Sequence, residues 1–139
     1  MLVGEYTHTI DSKGRIFIPS KLRIDLGESF ILCKGIDSCL WIYPKDSWTS
    51  FNQKLDSLSE IEARRVRRFF YASATELVPD SQGRIVLTNT YREFARLDDE
   101  ATLIGNSNRI EVWNPDEWRK EQEAVNNDEL VGTLIKMGF

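Results

Sequence analysis

The sequence predicts an α+β protein, mainly β, built from two copies of one short half. Three observations predict this class. Residues 11–18 match residues 80–87, 69 positions later, and Arg23 falls on Arg92. Short apolar runs of strand length alternate with turn residues, and helix start signals follow each half. A half of this length rarely holds a core alone, so we expect the two halves to fold together.

The first half begins with a strand over residues 5–10 and a tight turn over residues 11–15, where Gly14 supplies a permissive backbone. A second strand over residues 15–18 carries three consecutive apolar residues, which is typical of burial on both faces. A short helix is predicted over residues 19–23, because proline is tolerated in the first turn of a helix.

Two further strands complete the first half, at residues 29–34 and 39–43, and residues 35–38 form the turn between them. A helix then begins at Pro44. Its apolar positions at helical spacing are Trp48, Phe51, Leu55 and Leu58. Residues 59–62 have the Ser-x-x-Glu pattern of a capping box, which predicts the start of a second helix.

The second half repeats this order, with strands at residues 86–87, 102–104 and 109–113 and a turn at residues 105–108. Its helix begins after Asn114, where a capping residue precedes a proline and two acids. The tail, residues 121–139, is weakly amphipathic and ends in glycines that we expect to be flexible. We divide the chain into a first repeat with trailing helices and a second repeat with a C-terminal helix and tail, residues 1–75 and 76–139.

Charge is distributed unevenly along the chain, although the net charge is only −4. Residues 1–23 carry four bases and two acids, whereas residues 98–139 carry four bases and ten acids. The net negative charge argues mildly against nucleic acid as a partner, but the distribution of charge matters more than the total, and this chain has a basic beginning and an acidic end. The chain has no apolar run of roughly 20 residues and no signal-peptide start, so we expect a cytoplasmic protein without membrane contact.

Few residues have the spacing that chemistry at a catalytic or metal site needs. Cys33 and Cys39 form neither a redox pair nor half of a zinc site, and we expect two buried thiols. His8, the only histidine, has no partner at ligand spacing. The sequence contains no nucleophile–base pair and no phosphate-binding glycine loop. We therefore expect no enzyme, metal, cofactor or small-molecule substrate.

Residues 4–16 (Gly-Glu-Tyr-Thr-His-Thr-Ile-Asp-Ser-Lys-Gly-Arg-Ile), residues 35–44 and residues 80–84 (Asp-Ser-Gln-Gly-Arg) closely resemble the MraZ family. The resemblance covers roughly residues 1–120, in both repeats and in the right order. It implies two tandem AbrB/MazE-like swapped-hairpin half-barrels that form a pseudo-twofold barrel with flanking helices.

The resemblance also implies a function. MraZ proteins are sequence-specific DNA-binding transcriptional regulators of the division and cell-wall gene cluster. They assemble into rings that bind direct repeats in their own promoters, and they are found in the cytoplasm and on the nucleoid. The resemblance therefore implies double-stranded DNA and further copies of this chain as partners.

One departure from the family pattern lies in the second repeat. Residues 18–23 match the usual proline-containing segment, but residues 87–92 read Leu-Thr-Asn-Thr-Tyr-Arg and have no proline. We expect an altered helix start in the second half and a smaller contribution of that half to DNA contact.

A turn fixed by glycine would hold its cationic side chains on a stiff support. Lysine is a mobile point charge for phosphate, and arginine is a planar fork that also reads guanine edges. The residues predicted to face DNA are Lys13, Arg15, Lys21 and Arg23, with Arg84 and Arg92 in support. The residues predicted to organise the turns are Asp11, Gly14, Asp80 and Gly83. An equally open alternative is that Asp11 and Arg15 pair only to close the turn, and both roles can coexist.

Other polar and aromatic features have a structural explanation that we prefer. The arginine run over residues 64–68 is either a second phosphate stripe or a helix face that is solvated or paired with acids, and we favour the second. Aromatic residues recur at equivalent places in the two halves: Trp41, Tyr43, Trp48, Trp113 and Trp118. Base stacking is one role for them, and core packing is the one we favour. The alternative function is a structural or protein-binding assembly module without specific DNA recognition.

Overall fold

A computed structural model describes all 139 residues and confirms a mixed α+β architecture that is mainly β. Eight strands and six helices alternate along the chain. The strands are Leu2–Thr9 (β1), Arg15–Phe17 (β2), Phe30–Lys34 (β3), Leu40–Pro44 (β4), Thr75–Leu77 (β5), Arg84–Val86 (β6), Glu100–Ser107 (β7) and Ile110–Trp113 (β8). The helices are Ser20–Leu26 (α1), Lys45–Lys54 (α2), Glu60–Ser73 (α3), Asn89–Phe94 (α4), Pro115–Glu123 (α5) and Asn127–Lys136 (α6).

Six strands form one antiparallel sheet in the order β1-β7-β8-β4-β3-β5. The first strand of each half is donated to the other half: β1 pairs along its length with β7, and β5 pairs with β3. At the centre of the sheet β4 pairs with β8, where Leu40 faces Val112 and Ile42 faces Ile110. This exchange explains why neither half needs to be stable alone.

The two remaining strands, β2 and β6, form a separate antiparallel ribbon with Ile16 opposite Ile85. The ribbon is extended by two reciprocal bonds: the Ile18 amide donates to the Gly83 carbonyl at 2.8 Å, and the Leu87 amide donates to the Gly14 carbonyl at 2.7 Å. Each glycine carbonyl thus ties its own turn to the opposite half. The ribbon and the sheet centre share the same pseudo-twofold relation between repeats.

One apolar core of 19 residues lies between the sheet, the ribbon and helices α1 and α4. Ile16, Ile18, Ile85 and Leu87 reach it from the ribbon, and all four are buried. Phe17 is only half-buried, so β2 alternates along its length instead of being buried on both faces as we predicted. Burial of each such side chain contributes about 1.5–3 kcal/mol, which makes the ribbon part of the core and not a surface appendage.

The opposite face of the sheet carries a second apolar cluster, which is rich in aromatic rings. Trp41 stacks on Phe70 of α3 with ring centroids 5.3 Å apart, and Tyr43 stacks on Phe51 of α2 at 5.6 Å. In the second half Trp113 packs against Trp118 of α5 at 5.5 Å. The recurring aromatic residues therefore serve core packing, as we predicted.

Both cysteines are buried free thiols, in agreement with the sequence analysis. Cys33 belongs to the aromatic cluster, and burial raises its pKa to about 12. Burial likewise raises the pKa of Cys39 to about 12, aided by the nearby carboxylates Glu111 and Asp37. Both groups stay protonated at neutral pH, where a thiol is a poor nucleophile.

The helix caps follow the predicted signals closely. Ser59 accepts a bond from the Glu62 amide at 3.2 Å while Glu62 accepts one from the Ser59 amide at 3.4 Å, which completes the capping box of α3. Asn114 accepts from the amides of Asp116 and Glu117 at the start of α5. The predicted first long helix is interrupted, since α2 ends at Lys54 and a single 3-10 turn follows.

The helix after the second turn forms in spite of the missing proline. Thr88 occupies its N-cap position but makes no side-chain capping bond, and α4 has six residues where α1 has seven. The C-terminal segment differs more from prediction, because residues 127–136 form the complete helix α6 where we expected a weakly amphipathic tail. None of the helices is long and apolar enough to cross a bilayer.

Candidate functional site

The first turn is organised by the carboxylate of Asp11. One oxygen accepts the amides of Lys13 and Arg15, both at 2.9 Å, and the other accepts Arg15 Nε at 2.6 Å. The Gly14 amide donates to the Asp11 carbonyl at 2.9 Å with φ at +76°, a conformation that favours glycine. The turn-closing ion pair proposed from spacing is therefore present.

The second turn repeats this geometry. Asp80 accepts the amides of Gln82 and Arg84 at 2.9 Å and also Arg84 Nε at 2.9 Å, while Gly83 has φ at +77°. We refer to residues 11–15 and 80–84 together as the paired turns. The backbone bond from Arg15 holds the pKa of Asp11 below its ordinary value of 3.8, with further lowering by the Arg15 side chain. The backbone bond from Arg84 lowers the pKa of Asp80 in the same way.

The arginines of the paired turns keep part of their donor capacity. Arg15 Nε donates to Asp11, and the two terminal nitrogens of Arg15 make no hydrogen bond within the chain. Arg84 spends Nε on Asp80, and its Nη1 lies 3.9 Å from Asp11 of the other turn. The side chains of Arg15 and Arg84 are 30% and 26% exposed. Each acid therefore orients a guanidinium without consuming it.

Two more predicted arginines cross between the halves. Arg23 lies over Gly83, where a Cβ would come within 2.7 Å of Arg23 Cζ. Its Nε donates to the Ile18 carbonyl at 2.8 Å, and its guanidinium lies 5.4 Å from the ring centroid of Phe17. Each of these contacts restricts the guanidinium, so Arg23 is held in one orientation beside the opposite turn.

In the mirror arrangement, Arg92 lies against Gly14 and donates to the side chain of Asn89. Arg23 and Arg92 therefore join Arg15 and Arg84 in one group around the β2–β6 ribbon. This crossing was missed by the sequence analysis. The signal available was the equal spacing of glycine and arginine in both repeats, but it shows a contact only when the ribbon pairing is known.

The two predicted lysines behave differently from the arginines. Lys13 is exposed near the tip of the first turn and makes no ion pair, whereas the second turn has Gln82 in its place. Lys21 is exposed on the first turn of α1, and no bond or ion pair joins it to the arginine group. The structure therefore unites four of the six predicted residues and leaves both lysines as free charges.

The arginine run is on α3, a helix that packs against β3. Arg67 pairs with Glu60 of the same helix at 3.1 Å. The other three, Arg64, Arg65 and Arg68, are exposed and have no ion-pair partner within the chain. This agrees with a mostly solvated helix face.

The arrangement as a whole fits recognition of a polyanion. Four guanidinium groups are gathered on one ribbon, and each is restrained by a carboxylate, a carbonyl, an amide or a ring. Restrained planar forks lose less conformational entropy on binding and match phosphate oxygens or base edges bidentately. Because the restraint of Arg15 is repeated at Arg84 by the pseudo-twofold relation, the two turns offer matched arginines from both halves.

Comparisons with known proteins identify the family of the chain. Residues 1–69 and 70–131 each match the family described as “MraZ protein, putative antitoxin-like”. A relative named “Transcriptional regulator MraZ” from Desulforamulus reducens is 48% identical over 141 residues, covering 99% of both chains. Relatives with the same name from Moorella thermoacetica and Desulfitobacterium hafniense are 47% identical over 122 residues and 48% identical over 145 residues. They cover 86% and 100% of this chain, and 85% and 100% of their own lengths.

Proposed function

Since this chain belongs to the MraZ family, we propose that it is a DNA-binding transcriptional regulator whose paired turns contact double-stranded DNA. The observation that carries the proposal is the orientation of Arg15 and Arg84 by Asp11 and Asp80, which leaves the terminal nitrogens of both arginines without a hydrogen bond. Arg84 Nη1 makes only the long 3.9 Å ion-pair contact with Asp11. Arg23 and Arg92 extend the contact, and the free charges of Lys13 and Lys21 add attraction to phosphate. Asp11, Gly14, Asp80 and Gly83 hold the turns in shape.

The proposed targets are direct repeats in the promoter of its own gene and the division and cell-wall gene cluster. Phosphate contacts would set the register, and the restrained arginine forks would read base edges. The proposed place of action is the nucleoid within the cytoplasm. DNA binding of this kind requires no catalysis. The two acids of the paired turns, Asp11 and Asp80, are bonded to the amides and arginines of their own turns.

We further propose a ring-shaped homo-oligomer. Helix α6 supports this, since Leu130, Val131, Leu134 and Ile135 are 41–61% exposed along one face. The exposed, unpaired Arg64 on α3 and the acidic C-terminal region supply complementary charge for a head-to-tail contact, which closes into a ring when its rotation permits. A ring engages several repeats at once and raises the effective concentration of every further contact.

An electrophoretic mobility shift titration with the region upstream of the gene, against a scrambled duplex of equal length, tests the proposal. Arg15→Ala should weaken binding to the upstream region about tenfold or more. Asp11 keeps two backbone donors in this variant, so the turn should still fold, and a thermal unfolding curve checks this.

Lys13→Gln should weaken binding to all duplexes alike and reduce the salt dependence of log K by about one. Lys54→Gln is the matched control, because Lys54 is exposed, unpaired and remote in sequence from the paired turns. Equal affinity of the folded Arg15→Ala variant and the wild type would remove the arginine contact from the proposal. Absence of a shift at moderate salt would favour the alternative, an assembly module without specific DNA recognition.

A further inference from the structure

A groove of about 420 Å³ opens between the C-terminal end of α3, strands β3 and β5, and the start of α4. Its nine lining residues include the cations Lys34 and Arg68 and no acid. Such a lining is unusual for this chain, in which acids outnumber bases by 22 to 18. The volume lies within the range of roughly 300–1,000 Å³ that small-molecule sites occupy.

Four polar side chains of this groove have no hydrogen-bond or ion-pair partner within the chain, whereas those of Ser73, Thr75 and Tyr91 are bonded to one another or to the backbone. Arg68 makes no ion pair, and Lys34 Nζ contacts only the ring of Phe94, 5.1 Å from its centroid. The hydroxyls of Thr88 and Thr90 make no hydrogen bond. Two cations and two free hydroxyls thus line one concavity, and all four can donate to the oxygens of an anion.

The repeat shows that the fold does not require these residues. In the first half the positions of Thr88 and Thr90 are occupied by Pro19 and Lys21. In the second half Gly105, which pairs with Ile110 as Lys34 pairs with Leu40, occupies the position of Lys34. Both halves nevertheless form the same strand and helix at these places. The absence of proline from the second repeat therefore coincides with a polar lining that only one side of the molecule has.

We propose that this groove binds the phosphate group of a phosphorylated small molecule. Lys34 and Arg68 supply the charge, Thr88 and Thr90 donate hydroxyl bonds, and the exposed ring of Phe69 forms an apolar wall for the remainder of the ligand. This inference does not rest on the proposed DNA contact, because none of the groove residues belongs to the paired turns.

Isothermal titration calorimetry of the full chain with pyrophosphate tests the proposal, with sodium chloride at matched ionic strength as the reference. Lys34→Met keeps the aliphatic stem against Phe94 and removes the charge, and Arg68→Gln removes the second cation. Each should weaken pyrophosphate binding about tenfold or more, as expected for lost charge-assisted bonds. The double variant Thr88→Val with Thr90→Val should weaken it by a smaller factor.

Arg65→Gln is the matched control, since Arg65 is an exposed, unpaired arginine of the same helix that does not line the groove. It should change pyrophosphate affinity less than twofold. The proposal is overturned by lack of saturable binding at millimolar pyrophosphate, or by an equal loss in Arg65→Gln and Arg68→Gln. It is also overturned if Arg68→Gln weakens DNA binding while pyrophosphate does not bind, because the groove would then serve the duplex. Thermal unfolding of each variant verifies that it is folded.

Discussion

The aspartates of the paired turns explain why arginine and not lysine occupies positions 15 and 84. Arginine has five donors in a fixed plane, so Nε can bond the turn carboxylate while the terminal nitrogens point elsewhere. Lysine carries all its donors on a single nitrogen, so an ammonium group held against the turn carboxylate would not extend to a ligand farther away. The ion-pair and contact interpretations of this motif are therefore compatible at the level of single atoms.

Acid should loosen the paired turns at a pH set by Asp11 and Asp80. The pKa of each is lowered in the folded protein from its ordinary value of 3.8, so each stabilises the fold above that value. This contribution is lost as the pH falls through the lowered pKa. In that range the unfolded state, in which the pKa of each aspartate is higher, binds more protons than the folded state, and this favours unfolding. Thermal midpoints measured between neutral and strongly acidic pH should fall more steeply below about pH 4 than above it.

The double variant Asp11→Asn with Asp80→Asn should have a lower thermal midpoint at neutral pH than the wild type. Its thermal midpoint should also fall less steeply as the pH is lowered below about 4. Asp56→Asn serves as the control, since Asp56 is exposed and makes no ion pair. An acid limb in the double variant as steep as that of the wild type would show that other carboxylates govern acid sensitivity.

At the scale of elements, the ribbon is the point where the two halves become one molecule. The Gly14 and Gly83 carbonyls accept the amides of Leu87 and Ile18, so the tip of each turn is fixed by the opposite strand. The arginine that follows each strand then lies over the opposite glycine. A side chain at either glycine would disturb both the turn and the crossing.

Alanine at the two turn glycines should destabilise the protein unequally. At Gly14 a Cβ would lie 2.7 Å from the Leu87 carbonyl oxygen, which is backbone and cannot move aside cheaply. At Gly83 the three nearest atoms all belong to Arg23, whose guanidinium can swing away. Positive φ adds strain at both sites. Gly83→Ala should cost about 1–3 kcal/mol of unfolding free energy and Gly14→Ala more, as measured by denaturant titration.

Gly132→Ala provides the control for this pair. Gly132 lies within α6 with no heavy atom near its missing Cβ, and alanine there should leave stability unchanged or raise it by up to about 1 kcal/mol. Equal costs at Gly14 and Gly83 would show that backbone strain, and not contact with the opposite half, dominates.

The elements themselves were largely accessible from sequence, because they depend on local signals. The repeat of residues 11–18 at 80–87, the capping box at Ser59 and the Asn114 cap each act within a few residues. The exchange of β1 and β5 between halves came only through family resemblance, since strand pairing depends on partners far apart in the chain. Hydrogen-bonded pairing gives a six-stranded sheet and a separate ribbon, which is consistent with the two tandem half-barrels that the resemblance implied.

The candidate site, like the fold, was predicted where it depends on local sequence and not where it depends on contacts between distant residues. Arg15 and Arg84 could be chosen because glycine and aspartate mark their turn within five residues. The contacts of Arg23 and Arg92 with opposite glycines depend on the register of the ribbon, which no local pattern encodes. The phosphate groove brings Lys34, Arg68 and Thr88 together from three elements, so it too was invisible before the fold was known.

The whole molecule is less symmetric than its repeat. In the first half α2 and α3 cover the outer face of the sheet, whereas in the second half α5 packs there and α6 continues outward with every residue exposed. Helix α6 follows α5 as α3 follows α2, so it is the element that lacks the packing of its counterpart. Amphipathic helices derive most of their stability from packing of the apolar face, so an unpacked one needs a partner.

Replacement of Val131 and Leu134 by Asp should therefore dissociate the proposed ring. Both side chains lie on the exposed apolar face of α6, and two buried carboxylates would be costly at a subunit contact. Light scattering after size exclusion should show a multi-subunit wild type and a monomeric double variant. Its affinity for DNA with several repeats should fall by a factor of about 100 or more as avidity is lost, while weak salt-sensitive binding remains. Thr133→Asp adds one aspartate outside that apolar face, where the double variant adds two on it, and should keep the wild-type mass. A monomer from Thr133→Asp as well would point to general loss of α6 and not to its apolar contact.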